Sequence, residues 1–274
     1  MIVDSHQHFW RLDRGDYTWL TPELAPIHRD FAPADLGPIL KRHGIDATVL
    51  VQAAATVAET DYMLSLTADC AFVLGVVGWV DFESPGAVAE IERLARNPRL
   101  KGLRPMIQDI PDPEWMLKPS LKPAIAAIQR CGLRFDALLK YQHLKPFARF
   151  IALYPELRVV IDHGAKPAIA KKAFDDWAPA MREIARDPRV HCKMSGLVTE
   201  AAPDWHQRDV KPYVDLLIHA FGPKRLMWGS DWPVVNLAGG YERWREASRN
   251  YLARLNLEEK AAILGETAVK FYGL

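Results

Sequence analysis

Two histidines separated by a single residue, His6 and His8, follow the first apolar run of the chain. Alternate residues of a strand point the same way, so the spacing predicts two imidazoles on one side of a strand end. Such a pair can begin a metal site or polarise a substrate carbonyl. The motif is unspecific by itself, and its meaning depends on where the fold places it.

Two other motifs place acid–base or ligand groups after apolar runs. Asp231 lies in the sequence WGSDWP at 228–233, and His163 lies in DHGAKP at 162–167. A carboxylate beside a water molecule can serve as a general base or as a metal ligand. The alternative for Asp231 is a structural cap of the turn that Trp232 and Pro233 begin.

Single polar or aromatic residues end most of the other apolar runs. They are Gln52, Trp79, Arg104, Asp136 and Lys193. A buried charge is costly unless it is paired or used, so each of the three charged residues could be an ion-pair partner, and Arg104 with Asp136 is a candidate pair. Their repetition at the same end of successive runs favours one shared site.

Eight short apolar runs, each followed by an amphipathic stretch, must position these groups. Such runs are typical of buried parallel strands, and eight is the number that closes a (β/α)8 TIM-type barrel, in which the carboxyl ends of all strands face one mouth. An open doubly wound sheet is the alternative, but no glycine-rich phosphate motif follows the first run. The runs are Ile2–Ser5, Ala47–Val51, Phe72–Val80, Leu100–Arg104, Arg134–Leu138, Val159–Asp162, Val190–Met194 and Arg225–Gly229.

The predicted barrel occupies the whole chain. No linker, repeat or low-complexity segment divides the 274 residues, so we expect a single domain spanning 1–274. A long segment from Phe9 to about Lys41 lacks a clear helix pattern and carries Trp10, Tyr17 and Trp19. We expect it to be a loop at the active-site face, where its aromatic rings either line a pocket or pack on the barrel rim.

Composition excludes several classes of protein. The formal net charge is +1, which argues against nucleic acid as a partner, and no stretch is long and apolar enough to predict a membrane span. Three widely spaced cysteines and the absence of a secretory signal pattern favour a cytoplasmic protein. Composition alone is therefore compatible with an enzyme that acts on a small molecule.

The ordered motifs DSHQHFW, KGLR, DHGAKP, KMSGL and WGSDWP, with LGETAVKFYGL at the end, resemble the amidohydrolase superfamily. The resemblance is closest to its sugar-lactone hydrolase branch and covers nearly the whole chain. It implies that His6, His8, His163 and Asp231 are catalytic residues. Where that superfamily commonly has a bridging lysine and a histidine on the fifth strand, this chain has Arg104 and Asp136, so a two-metal site is not expected.

The resemblance implies hydrolysis of a sugar-derived lactone to the open-chain acid. Asp231 would be the general base, and His6, His8 and His163 would polarise the carbonyl. The reaction would need either no cofactor or one divalent cation, such as zinc, on His6, His8 and Asp231. Substrate contacts would come from five residues: Arg104, Lys193, Gln52, Trp79 and Trp232.

Three other activities stay open at this point. Dicarboxylate-lactone hydrolysis would call for several arginines at the barrel mouth, where Arg104 is the one clear case. Metal-dependent decarboxylation of an aromatic acid would need a firmly held metal. A barrel that binds a ligand without turnover would have no need of Asp231.

Overall fold

Eight apolar strands form one parallel sheet in the computed structural model, which describes residues 1–274. Neighbouring strands in the sheet follow one another in the sequence, and helices run between them. The predicted (β/α)8 barrel is therefore confirmed. The strands are β1 (Val3–Gln7), β2 (Ala47–Val51), β3 (Val73–Gly78), β4 (Leu100–Leu103), β5 (Arg134–Ala137), β6 (Val159–Ile161), β7 (Val190–Met194) and β8 (Leu226–Trp228).

The sheet closes between β1 and the segment that follows β8. The backbone N–H of Asp231 donates to the carbonyl of His6 at 2.8 Å, and that of His8 donates to the carbonyl of Trp232 at 2.7 Å. These two hydrogen bonds hold the WGSDWP segment against the end of β1. Closure of the barrel therefore places Asp231 beside the two histidines.

Ten helices surround the strands, and none has the length and apolar character that crossing a bilayer requires. They are α1 (Pro33–His43), α2 (Val57–Leu66), α3 (Ala87–Leu94), α4 (Lys122–Arg130), α5 (Leu144–Leu153), α6 (Phe174–Ala185), α7 (Gln207–Phe221), α8 (Gly240–Leu252), α9 (Leu257–Ala261) and α10 (Thr267–Tyr272). A single π-helical turn, Ala262–Glu266, joins α9 to α10.

The loop after β1 is shorter than the sequence predicts. Helix α1 occupies Pro33–His43, so the expectation of no helix up to Lys41 is wrong. Pro38 inside the helix obscures its pattern, while the Asp35 carboxylate accepts from the Ala32 N–H at 2.8 Å and caps its first turn. Of the loop aromatics, Trp10 packs edge-on against Phe31 in the core.

The apolar core has two parts. A large cluster fills the space between the strands and the helices, and a small cluster lies inside the barrel. Strand β2 shows the division, because Val49 and Val51 belong to the small cluster and Leu50 belongs to the large one. The inner cluster also contains Phe271 and Tyr272 from α10.

The carboxyl end of the chain seals the barrel at the amino ends of the strands. Lys101, at the start of β4, donates to the Gly273 carbonyl at 2.8 Å, and Arg134, at the start of β5, donates to the Phe271 carbonyl. A Cβ on Gly75 of β3 would lie 2.9 Å from Leu274. The last helix thus plugs the end of the barrel opposite the mouth.

Candidate active site

Asp231 lies among three imidazoles at the mouth of the barrel. Its Oδ1 is 3.2 Å from Nε2 of His8, and 3.8 Å from Nε2 of both His6 and His163. All four side chains are almost completely buried. The sequence predicted these four residues as one group, and the fold brings them together.

The local backbone aims Asp231 into this group. The residue follows β8 with φ of 59°, in the left-handed region that Asp and Asn tolerate better than most residues. Burial by itself would raise the pKa of Asp231. At the acid pH where Asp231 titrates, the charge of protonated His163, the hydrogen bond with His8 and the charge of protonated His6 outweigh burial and hold that pKa below its usual range. The carboxylate is therefore ionised and able to accept a proton or ligate a metal.

His163 is fixed from behind by β7 and the turn that follows it. Its Nδ1 lies 2.9 Å from the Oγ of Ser195, and a Cβ on Gly196 would lie 2.4 Å from that same nitrogen. The residue itself has φ of 53° in a tight turn after β6. Burial lowers the pKa of His163 to about 4, partly offset by Asp231 and Asp162. The imidazole is therefore neutral near pH 7.

A layer of charged side chains lies beneath His6. Lys193 donates to Asp136 Oδ2 at 2.6 Å, forms an ion pair with Asp162 Oδ1 at 3.0 Å, and lies 3.2 Å from Nδ1 of His6. The sequence placed Lys193 among the substrate contacts, but the side chain is fully buried and supports His6 from below. Burial and the Lys193 charge hold the pKa of His6 well below its usual range.

Arg104 pairs with Asp162, and the expected pair with Asp136 is wrong. Its Nη1 lies 3.2 Å from Asp162 Oδ2 and 3.3 Å from Nε2 of His6, while its Nη2 donates to Gln52 Oε1 at 2.8 Å. Strand β7 inserts Lys193 against Asp136, which leaves Asp162 as the carboxylate within reach of Arg104. Gln52, expected to contact substrate, instead holds the guanidinium in place and is fully buried.

A cavity of about 230 Å³ opens above Asp231. Arg104 lines it, whereas the predicted residues His6, Lys193, Gln52 and Trp232 are not in its wall. Trp232 packs edge-on against Phe31 behind the site. The remaining wall comes from several loops: His8, Trp19, Ala53, Met106, Gln108, Asp109, Leu138, His163, Lys166, Asp231 and Val234.

Trp79 lies in a neighbouring cavity of about 380 Å³ rather than in the one above Asp231. The two cavities share Trp19, Met106 and Asp109 in their walls. Trp19 comes from the loop after β1, and its Nε1 donates to the Ala53 carbonyl at 2.7 Å. One aromatic residue of that loop therefore does line a pocket, as the first of the two sequence-based alternatives proposed.

Sequence reasoning missed two supporting residues. Asp162 contacts both buried cations, and Ser195 contacts His163. Burial raises the pKa of Asp162, but Lys193 and His6 outweigh it and keep that pKa well below its usual range. The available signal was position: Asp162 precedes His163, and Ser195 lies two residues after Lys193.

One divalent ion fits the site. Ligand atoms of His6, His163 and Asp231 lie within 4.8 Å of one another, and two imidazoles with one carboxylate are a donor set that zinc accepts. The sequence pointed to His8 as the second imidazole. In the fold, His163 is the second imidazole of the close group, and Nε2 of His8 lies 3.2 Å from Asp231 Oδ1.

The chain is similar to known proteins over nearly its whole length. The chain is 45% identical to an L-fucono-1,5-lactonase of Burkholderia ambifaria, with 98% of this chain and 94% of that protein covered. It is 37% identical to an L-fucono-1,5-lactonase of Burkholderia multivorans, with 99% and 96% covered. A crystal structure of an amidohydrolase from Burkholderia multivorans with bound zinc superposes with a TM-score of 0.94 at 35% identity, covering 100% of this chain and 99% of that one.

The sequence also matches the amidohydrolase family over residues 3–274, which include every strand of the barrel, Asp231 and the three histidines around it. The resemblance noted from the ordered motifs is thereby confirmed. This protein belongs to the amidohydrolase family.

Proposed function

We propose that this protein is a lactonase that hydrolyses a sugar-derived lactone, of the L-fucono-1,5-lactone kind, to the open-chain sugar acid. The observation that carries the proposal is an ionised Asp231 at the floor of a small cavity, in a chain 45% identical to a protein of that activity. The chain would act as one catalytic domain spanning 1–274, because every residue of the site belongs to one barrel mouth.

The cavity suits a single sugar ring. Pockets for drug-sized ligands are about 300–1,000 Å³, and the volume above Asp231 is about 230 Å³. The wall carries two cations, Arg104 and Lys166, and two carboxylates, Asp109 and Asp231, so it has no excess of positive charge to offer a substrate with two carboxylates. A lactone with one carbonyl and several hydroxyls matches this balance better than a dicarboxylate does.

Lactone opening requires a base, a site for negative charge and a proton for the leaving oxygen. Asp231 accepts the proton of the attacking water and returns it to the ring oxygen as the ring opens. Arg104, held by Gln52 and Asp162, faces the negative charge that develops on the carbonyl oxygen. His8 is fixed through Val51 and keeps the Asp231 carboxylate oriented.

A divalent ion on His6, His163 and Asp231 would supply a Lewis acid that polarises the carbonyl or acidifies water. The protein's own contribution does not depend on which ion binds. Lys193 and Ser195 keep the two imidazoles in place, and the low pKa of both rings keeps them unprotonated and able to ligate a metal. Three unpaired cysteines, Cys70, Cys131 and Cys192, suit a reducing compartment, and we place the activity in the cytoplasm.

A panel of lactones tests the proposal directly. L-Fucono-1,5-lactone, other aldonolactones, a pyrone dicarboxylate and an aromatic carboxylic acid are incubated with the protein, and acid release is followed with a pH indicator. We expect catalysed acid release from the aldonolactones alone. Turnover confined to the dicarboxylate or to the aromatic acid, or no turnover with any compound, would refute the proposal in favour of the corresponding alternative.

A further inference from the structure

A tyrosine from the very end of the chain reaches the layer of charges beneath the active site. Tyr272 is the last residue of α10, which plugs the opposite end of the barrel, and its side chain is buried among the inward-facing strand residues. Its hydroxyl donates to Asp136 Oδ2 at 2.6 Å. The proposed reaction has no direct use for either group, since neither lines the cavity above Asp231.

Asp136 connects Tyr272 to Lys193 through hydrogen bonds. The same Oδ2 atom accepts from the Lys193 ammonium at 2.6 Å, so the tyrosine and the lysine share one carboxylate oxygen. The ammonium carries three protons and lies close to three groups: Asp136, Asp162 at 3.0 Å and Nδ1 of His6 at 3.2 Å. The position of the ammonium under His6 therefore depends on where Asp136 is held.

We propose that Tyr272 is a positioning residue for the active site, acting on His6 through Asp136 and Lys193. The hydroxyl fixes the rotation of the Asp136 carboxylate, which fixes the ammonium. The ammonium in turn fixes the His6 ring, whose Nε2 lies 3.8 Å from Asp231 Oδ1. This inference rests on the proposed function of His6. With this role for Tyr272, the last helix would support the reaction as well as close the barrel.

Contacts of the neighbouring residues hold the Tyr272 side chain in place. Gly273 and Phe271, on either side of Tyr272, are held through their carbonyls by Lys101 and Arg134. The ring of Tyr272 also packs edge-on against Phe271, with centroids 4.9 Å apart. The backbone around the tyrosine is thus anchored to two strands, and its hydroxyl has a defined position.

Tyr272→Phe removes the hydroxyl and keeps the aromatic plug. Loss of a supporting hydrogen bond behind a catalytic ligand typically costs about tenfold in activity or more. We expect kcat for lactone hydrolysis to fall about tenfold with KM nearly unchanged, because the change reaches His6 and, through it, Asp231, while the residues of the cavity wall are untouched. Tyr251→Phe is the matched control, since Tyr251 is also a buried residue and its hydroxyl donates to the Gln207 carbonyl at 2.9 Å, away from the site.

Two further measurements separate positioning from stability. Asp136→Asn is expected to lower kcat in the same way, and the double variant Tyr272→Phe/Asp136→Asn to be no slower than Asp136→Asn alone. Resonances of 15N-labelled histidine should move for His6 in Tyr272→Phe and stay in place for His143. This spectrum tests whether Tyr272 positions His6 even if the wild-type protein hydrolyses no lactone. Absence of lactone hydrolysis would refute the proposed function alone. Equal kcat in Tyr272→Phe and Tyr251→Phe, or an unmoved His6 resonance, would overturn the inference.

Discussion

Replacing Asp231 with asparagine removes the proposed base while preserving its shape. The asparagine amide offers both an acceptor and a donor, so it can keep the 3.2 Å contact with Nε2 of His8, and the backbone N–H bond to the His6 carbonyl is unaffected. Asparagine also tolerates the φ of 59° at this position. We therefore expect a loss of folding stability of about 1 kcal/mol or less.

Catalysis should suffer far more than stability. An amide cannot accept the proton of the attacking water, and loss of a general base typically lowers the rate about 10²- to 10⁴-fold. We expect kcat for L-fucono-1,5-lactone to fall by that factor. The assay is acid release followed with a pH indicator, corrected for spontaneous hydrolysis, together with thermal unfolding of the same samples.

Asp109→Asn provides the matched control. Asp109 also lines the cavity, but its carboxylate is exposed and contacts none of the histidines. We expect its kcat to stay within a few-fold of wild type. If Asp231→Asn keeps kcat within tenfold of wild type while remaining folded, the assignment of Asp231 as the base is refuted.

Three other predictions follow from the same geometry. Gly196 has a φ of +58°, and Gly196→Ala would place a Cβ 2.4 Å from Nδ1 of His163. We expect kcat to fall at least tenfold and the free energy of unfolding to fall by about 1–3 kcal/mol. Wild-type kinetics in this variant would contradict the prediction. Burial raises the pKa of Glu59 to about 7, so the folded protein keeps a proton that the unfolded chain releases from about pH 4.5 upward. Stability should therefore decline by about 3 kcal/mol as pH rises from 4.5 to 7, and urea unfolding of Glu59→Gln should show a flatter profile. Zinc added to chelator-treated protein should raise the Tm of wild type and leave that of His163→Ala unchanged; equal shifts in both would place the ion elsewhere.

Local patterns carried enough information to predict the barrel and the residues around Asp231. Buried parallel strands have short continuous apolar runs, and the residues after such runs must meet at one mouth once the sheet closes. His6, His8, His163 and Asp231 could be grouped for this reason. The helix at Pro33–His43 was missed because Pro38 and the polar residues around it weaken the periodic pattern.

The pairing of buried charges could not be predicted in the same way. Arg104 and Asp136 end neighbouring strands, yet Arg104 contacts Asp162, and Asp136 is taken by Lys193 and Tyr272. Which cation pairs with which carboxylate depends on strand stagger and on side-chain length across the barrel interior. Small differences in these positions decide the pairing. Lys193, Gln52 and Trp232 were expected at the cavity wall, and only packing shows that they lie behind it.

The sequence by itself determined the architecture, the family and the four residues at the mouth, because each depends on apolar periodicity and on order along the chain. The tertiary structure alone decided which side chains touch the cavity, which imidazoles can share an ion with Asp231, and that Tyr272 reaches the charges beneath His6. Those features join residues as far apart as 6 and 272. They arise when the sheet closes and the last helix enters the barrel, and no local pattern records them.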